Sequence, residues 1–214
     1  MKSVLISVQP YWVFLIVAKT MGWHIDKEKK IEVRKSQPKD ENWDKVVKIY
    51  CSKDRKSFAK IPKKYEPFME QFLGKVIGEF VCGKIDRIAH CGTRNNDICL
   101  RLVNKNLICK ELDYEYLDKC KLSYSDIERY SNGYDVYGWH ISNLAIYDEP
   151  RKLGEFIRIC PEWEKGEITE KCLECEHLYR SPIENLIDCD YEGEIPITRP
   201  PQSWCYIESE VEGE

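Results

Sequence analysis

The chain has 214 residues, of which 43% are hydrophobic and 33% charged, and its formal net charge is −4. A chain of this length can bury a stable core without disulfides or metals, and its composition excludes intrinsic disorder. The longest apolar stretch, VLISVQPYWVFLIVA, contains Gln9 and Pro10, so it is too short and too interrupted to cross a bilayer. We therefore expect a cytoplasmic protein without a membrane partner.

The charge is distributed unevenly along the chain. Residues 1–64 hold 16 Lys and Arg against 7 Asp and Glu, whereas residues 150–214 hold 7 against 16. A basic face favours partners that carry phosphates, although a chance cluster of solvated lysines gives the same pattern. The 11 cysteines follow no secretory signal, so we expect reduced thiols, some of them on a metal.

The first half of the chain reads as short strands separated by short helices. Strands are predicted at SVLISVQ, KKIEVRK and KVVKIYCS, helices at YWVFLIVAKTM and PFMEQFLG, and a basic loop at KDRKSFAKIPKKYEP. In KKIEVRK, the apolar Ile31 and Val33 alternate with charged residues, which predicts one apolar and one charged face. GKVIGEFVCGKIDRI is predicted to be one long strand that glycines interrupt, as in a bulged barrel strand.

The second half begins with its least regular part, residues 89–119, where only ICLRLV is predicted as a strand. LSYSDIERYSNG is predicted to be a helix with a capping box at Ser125 and Glu128 and an end at Gly133. YDVYGWHISNLAIYDEP alternates as one strand that ends at Pro150, KLGEFI is a short element, and PPQSWCYIE is a strand again. Many short strands with few, separated helices predict an α+β fold around a small mixed barrel.

Several of these pieces, in this order, resemble the ASCH domain family of the PUA-like group. KKIEVRK resembles the hallmark loop and strand G-x-K-x-x-E-x-R, with Lys29, Glu32 and Arg34 at the hallmark positions and Lys27 in place of the glycine. SVQP, VVKIYCS and KVIGEF resemble the strands around it. YGWHISNLAIYDEPRKLGEF and RPPQSWCYIE resemble the closing section of phage and Firmicutes members.

The resemblance implies the architecture of the whole chain. It indicates a single domain over residues 1–214, built as a PUA-like mixed β-barrel with peripheral helices. The cysteine-bearing, acidic segment at residues 160–190 is then an insertion into that domain.

The resemblance also implies that Lys29, Glu32 and Arg34 line a cleft that binds nucleic acid, RNA being the usual ligand. An arginine can hold a phosphate through two parallel hydrogen bonds, a lysine adds a point charge, and unpaired bases stack on aromatic rings. Without the resemblance, a Glu32–Arg34 ion pair on the surface explains the hallmark charges equally well. The predicted binding residues beyond the hallmark three are Tyr11, Ser52 and Trp139.

The main alternative is an enzyme, either a nucleoside amidohydrolase or a ribonuclease. ASCH proteins with a similar loop hydrolyse the amide of acetylated cytidine with a Lys, a Thr and a Glu. Lys29 matches the catalytic lysine, but Glu32 occupies the place of the hydroxyl nucleophile and cannot form the same covalent ester. Glu32 could still act as a general base for water while Lys29 stabilises the oxyanion, and Glu128 is a loose match for the remaining carboxylate. A further alternative is a protein-binding adaptor that uses its acidic insertion.

A structural zinc site is predicted in the insertion. Cys160, Cys172, Cys175 and Cys189 follow the spacing C-x11-C-x2-C-x13-C, and four thiolates suit a closed tetrahedral zinc site. The segment is acidic and poor in apolar residues, so a metal would help to order it. His177 could replace either outer cysteine, and a set of reduced thiols is the alternative to a metal site.

Overall fold

The structure, a computed structural model, describes residues 2–38, 45–92, 98–103, 109–158, 178–180, 187–189 and 195–208. Its strands are, in chain order, β1 (Lys2–Val8), β2 (Ile31–Arg34), β3 (Lys45–Cys51), β4 (Lys75–Cys82), β5 (Ile85–Gly92), β6 (Ile98–Val103), β7 (Cys109–Glu111), β8 (Val136–His140), β9 (Ser142–Lys152), β10 (Ile157–Arg158), β11 (Leu178–Arg180), β12 (Ile187–Cys189), β13 (Ile195–Pro196) and β14 (Trp204–Glu208). Its helices are α1 (Pro10–Val17), α2 (Arg55–Phe58), α3 (Glu66–Glu70), α4 (Tyr114–Cys120) and α5 (Tyr124–Ser131), with 3-10 turns at Lys63–Tyr65 and Leu153–Glu155.

The strands form two main sheets and one separate hairpin. The larger sheet has the order β13-β10-β14-β1-β3-β4-β9, the smaller has the order β2-β8-β5-β6-β7, and β11 pairs only with β12. β1 and β3 are parallel, because the chain leaves β1 through α1, crosses to the smaller sheet for β2, and returns for β3. The hallmark strand β2 lies at an edge of the smaller sheet. In chain order it comes between β1 and β3, which both belong to the larger sheet.

Apolar clusters pack the helices against the two sheets. The sequence of α1, PYWVFLIV, is apolar around its circumference, which is typical of a fully buried helix. Residues 13–17 of α1 pack with β1, β3 and Trp139 in the largest cluster. A second cluster joins the smaller sheet to α4 and α5 through Ile31, Tyr116 and Ile127. The region between these two clusters is where the candidate site forms.

The predicted α+β class is confirmed, but a closed barrel is not seen in the part of the chain that the structure describes. There, the pairings of each main sheet run from one edge strand to another, with no bond between the two edges. No helix in the described residues is long and apolar enough to span a membrane.

Two long predicted strands are each divided between the sheets. GKVIGEFVCGKIDRI forms β4 in the larger sheet and β5 in the smaller, with a break at Gly83 and Lys84. YDVYGWHISNLAIYDEP forms β8 in the smaller sheet and β9 in the larger, with a break at Ile141, and β9 continues past Pro150. Apolar alternation continues through both breaks because each sheet buries a face, so the pattern could not show that the chain changes sheets.

The predicted helix starts also need correction. The capping box of α5 is formed by Ser123 and Asp126, so the predicted pair Ser125 and Glu128 lies inside the helix. Asn132, at φ 50°, ends that helix in the left-handed conformation, one residue before the predicted Gly133. The predicted basic loop contains α2, whose first turn is capped by the Asp54 carboxylate. The predicted irregular stretch 89–119 contains α4.

Candidate nucleic-acid interface

A cavity of about 450 Å³ lies where β2, the end of β1 and the start of α1 meet α5. A volume in this range suits a small-molecule ligand of nucleotide size. Four of the sequence-predicted residues line it, namely Lys29, Glu32, Arg34 and Ser52. It is also lined by Gln9, Trp12, Tyr130 and Gln202.

The loop that carries Lys29 is held by backbone hydrogen bonds to three different elements. The Lys29 amide donates to the Leu15 carbonyl of α1 at 3.0 Å, and the Lys30 amide donates to the Lys119 carbonyl of α4 at 2.8 Å. The Ile141 amide, between β8 and β9, donates to the Lys30 carbonyl. These bonds fix the position from which the Lys29 side chain reaches the cavity.

The Lys29 side chain is only 2% exposed, and its ammonium is surrounded by compensating groups. Nζ donates to the Cys120 carbonyl at 2.6 Å, lies 3.5 Å from Glu32 Oε2, and sits 4.9 Å from the centroid of the Trp12 ring. A buried ammonium is stable only with such partners. Its partners thus include a carbonyl, a carboxylate and an aromatic face.

Glu32 and Arg34 face the same side of β2, as strand alternation predicts. Arg34 Nη2 lies 3.2 Å from Glu32 Oε1, and the two side chains are 7% and 8% exposed. The pair is therefore buried, which rules out the surface ion pair as the explanation of these charges. Arg34 also donates to the Ser7 carbonyl at 2.6 Å and to the Ser203 carbonyl at 3.4 Å, joining β2 to both ends of the described chain.

Two polar groups of the cavity lining have no hydrogen-bond partner among the described residues. They are Arg34 Nε and Ser52 Oγ, and both atoms are buried. A buried polar atom without a partner costs about 1–3 kcal/mol. One is a donor and the other can donate or accept, so a ligand with polar edges would relieve this cost.

Two aromatic side chains complete the cavity. Trp12 is half-buried and has the Lys29 ammonium over its ring. Tyr130, 38% exposed, has Lys35 Nζ 5.2 Å from its ring centroid. Burial raises the pKa of Tyr130, with the charge of Arg34 acting against this shift and that of Glu32 adding to it. The cavity thus brings aromatic surface together with both signs of charge.

The remaining sequence-predicted binding residues lie outside this lining. Trp139 is fully buried and packs in the core, with its ring 6.4 Å from that of Trp204. Tyr11 lines a neighbouring groove of about 630 Å³ with Tyr114, and Leu122 borders both spaces. Glu128, the loose match for a third catalytic carboxylate, is exposed on α5 and does not line the cavity.

His140 pairs with Asp86 away from the cavity. His140 Nε2 lies 2.6 Å from Asp86 Oδ2. Burial works against the charge of Asp86, but hydrogen bonds to His140 and Lys84 outweigh it and lower the pKa of that carboxyl. The pair joins β8 to β5, so its position indicates a role in holding the smaller sheet together.

The predicted zinc ligands lie outside the part of the chain whose side chains are described. Cys160, Cys172 and Cys175, with the alternative His177, fall in residues 159–177, and of Cys189 only the backbone of β12 is described. Within the described residues, no group of three or more His, Cys, Asp or Glu side chains could hold a metal. Four other cysteines, Cys51, Cys82, Cys120 and Cys205, are free thiols.

The sequence did not reveal Tyr130 or Gln202 as site residues. Gln202 lies in RPPQSWCYIE, which was recognised only as a piece of the resemblance. Tyr130 follows Ile127 by three positions on α5, so it reads as one more apolar residue of a helix face. Only the packing of α5 against β2 shows that its ring reaches the cavity.

No protein-family model matches this chain, and none of the curated proteins does. Among solved structures, the chain is similar to the crystal structure of a mutant ZmASCH protein from Zymomonas mobilis. The two are 14% identical with a TM-score of 0.42, and the match covers 97% of this chain and 91% of that chain.

Proposed function

We propose that this chain is an RNA-binding domain of ASCH type that takes one unpaired nucleotide into the cavity between β2 and α5. The observation that carries the proposal is the buried Lys29–Glu32–Arg34 cluster beside Arg34 Nε and Ser52 Oγ, two polar atoms that have no partner in the described part of the chain. A buried cluster of three charges gives the folded state no more stability than well-packed apolar residues of similar volume would give. A cluster that lines a cavity is better explained by a ligand.

The polar groups favour a base that carries an amino group. The Glu32 carboxylate has more acceptor positions than its two cations occupy, so it can accept from an exocyclic amine. Arg34 Nε and Ser52 Oγ can donate to the ring nitrogen or carbonyl beside that amine. Tyr130 and Trp12 supply the aromatic surface on which unpaired bases stack. Cytosine has this order of donor and acceptors, whereas uracil has a carbonyl in place of the amine.

Binding of mononucleotides and of single-stranded RNA tests the proposal. We expect cytidine monophosphate to bind more tightly than uridine monophosphate in calorimetry. Tyr130→Ala should weaken binding by about 1–3 kcal/mol, which is the cost of removing one stacking platform. The matched control is Tyr134→Ala, since Tyr134 is 75% exposed and outside the cavity lining.

Equal affinities of the Tyr130→Ala and Tyr134→Ala variants would contradict the placement of the base. Absence of binding by any nucleotide or RNA strand would contradict the proposed function itself. The double variant Lys29→Ala and Arg34→Ala should flatten the salt dependence of RNA binding, by about 0.7 in the log–log slope for each phosphate that no longer has a cationic partner. Circular dichroism must show that this variant folds.

The second candidate is hydrolysis of a nucleoside amide, which one observation favours. Lys29 Nζ and Glu32 Oε2 are 3.5 Å apart and line the same cavity. This pair could hold a water against an acyl group, with Lys29 stabilising the oxyanion. Incubation with acetylated cytidine distinguishes the candidates, because turnover that is lost in Lys29→Ala would show an enzyme. We expect binding without turnover.

The predicted insertion and its zinc site are proposals of the same kind. A zinc bound by Cys160, Cys172, Cys175 and Cys189 would crosslink a segment that is poor in apolar residues. Elemental analysis of protein purified without added metal should find one equivalent of zinc that is absent from Cys172→Ser. Metal-free protein would contradict the site. An adaptor role of this acidic segment would instead appear as protein binding that survives the Arg34→Ala substitution.

A further inference from the structure

A basic, exposed segment of the chain, residues 53–64, directly follows Ser52 of the cavity lining. This basic segment holds six cationic side chains and one acidic residue, and all six cations are exposed. The single acid, Asp54, accepts hydrogen bonds from the first backbone amides of α2, so its charge is used at the helix start. The six cations are Lys53, Arg55, Lys56, Lys60, Lys63 and Lys64.

The cations of the basic segment differ in whether a carboxylate neutralises them. Arg55 forms two hydrogen bonds with Glu70, both 2.8 Å long. In the part of the chain that the structure describes, no carboxylate lies within ion-pair distance of Lys56, Lys60 or Lys63. Exposed lysines that are free of acidic partners are the side chains that gain most from phosphates.

The basic segment is connected directly to the cavity. Ser52, the residue before it, lines the cavity, and the Ser57 hydroxyl of α2 accepts from the Tyr11 amide at 3.1 Å. The segment therefore borders the cavity from the α1 side.

We propose that residues 53–64 bind the sugar–phosphate backbone of the strand whose unpaired base enters the cavity. This inference rests on the proposed function and deepens it, because it names the surface that binds the rest of the strand. Lys56, Lys60 and Lys63 act as point charges on successive phosphates, without reading the sequence. The cavity selects the base, and the basic segment supplies salt-dependent affinity.

A chain-length and salt experiment tests this division. The variant Lys56→Ser, Lys60→Ser and Lys63→Ser is compared with wild type for a cytidine mononucleotide and for a single-stranded RNA of about ten nucleotides, within the usual site sizes. The charge-matched control replaces Lys84, Lys110 and Lys152 with serine, because these lysines are also exposed and lie outside the cavity lining. All of these substitutions are on the surface, so folding is expected to survive.

We expect the RNA strand to bind wild type more tightly than the mononucleotide does. The basic-segment variant should lose this advantage, and its log–log salt slope should fall by about 2, or 0.7 for each of three phosphates. Its mononucleotide affinity should stay unchanged, and the control variant should behave as wild type.

Two other results overturn the inference. Equal strand affinities of the basic-segment and control variants, or a wild-type strand affinity no better than that of the mononucleotide, would show that this surface does not bind the backbone. In both cases a Tyr130→Ala variant that still loses mononucleotide binding would leave the proposed function standing. If neither ligand binds wild type, the proposed function fails, and the inference fails with it.

Discussion

Two buried lysines, Lys48 and Lys29, each pair with a glutamate, and the two pairs differ in what surrounds them. In the larger sheet, Lys48 Nζ donates to Glu79 Oε2 at 2.9 Å and to the Tyr147 hydroxyl at 3.1 Å, and that hydroxyl donates to the same carboxylate oxygen at 2.8 Å. Beside the smaller sheet, the Lys29–Glu32 pair lines a cavity that Arg34 and Ser52 also line. In the first network the three groups hydrogen-bond one another, whereas beside the second pair two buried polar atoms have no partner among the described residues.

The comparison shows that burial of charge does not by itself indicate a functional site. For Lys48, burial works against the charge, but hydrogen bonds to Glu79 and Tyr147 outweigh it and raise the pKa of the ammonium. Burial raises the pKa of Tyr147 to about 12. Lys48 and Tyr147 therefore keep one protonation state at physiological pH. Their hydrogen bonds with Glu79 join neighbouring strands of the larger sheet. The distinguishing property of the Lys29 cluster is its incomplete hydrogen bonding next to open volume.

The largest effect is expected from Glu32→Gln. This change leaves the Lys29 and Arg34 charges buried without their shared anion, so the free energy of unfolding should fall by about 3 kcal/mol. Denaturant unfolding measures it. A loss below about 1 kcal/mol would mean that water reaches these cations, and the cluster would then resemble a surface pair.

A smaller effect is expected from Lys48→Met. The Glu79 side chain is 33% exposed and can turn to water when its partner is removed, so the loss should be about 1–2 kcal/mol. RNA affinity should not change, because Lys48 does not line the cavity. A weakened affinity would show that the two clusters are coupled and would break the comparison.

The buried thiols should make stability fall at alkaline pH. Burial raises the pKa of Cys51 from 9.0 to about 12, and burial likewise raises that of Cys120, beside Lys29, to about 12. The unfolded chain ionises these thiols first, so their contribution is fully present below pH 9.0 and is lost as pH rises toward about 12. Cys51→Ala should lower the free energy of unfolding at neutral pH yet reduce its alkaline decline. An identical decline in the variant would argue against this cause.

The smallest effect is expected at the start of α5. Ser123→Ala removes the capping box and should cost about 1 kcal/mol, with a slight loss of RNA affinity because α5 holds Tyr130 against the cavity. Ser125→Ala, at the position that the sequence favoured, removes only a 3.0 Å contact between the Ser125 and Ser123 hydroxyls and should cost less. The reverse ranking in thermal unfolding would support the sequence-based assignment.

The sequence predicted correctly those features that depend on a single helix or strand. The alternation in KKIEVRK correctly placed Glu32 and Arg34 on one side, and the apolar run after Pro10 correctly predicted α1. The sequence did not predict those features that depend on how two elements pack against each other. Both faces of β2 are buried, so the predicted charged face is turned to the cavity and not to solvent. Tyr130 reaches that cavity from α5, and Gln202 reaches it from the segment before β14. These two segments are far from β2 in the sequence, so no local pattern predicts that they line the same cavity.

The two carbonyl contacts of Arg34 have a consequence for how the protein is made. Ser7 is 27 residues from Arg34 along the chain and Ser203 is 169 residues away. During synthesis the first of these contacts can form early, whereas the second must wait until the strand beginning at Trp204 has left the ribosome, since a chain emerges from its N-terminus at a limited rate. A nascent chain therefore carries every hallmark charge long before it has a finished pocket. The lining of the cavity is complete only once the segment around Ser203 has been made, so translation of the hallmark residues precedes completion of the cavity.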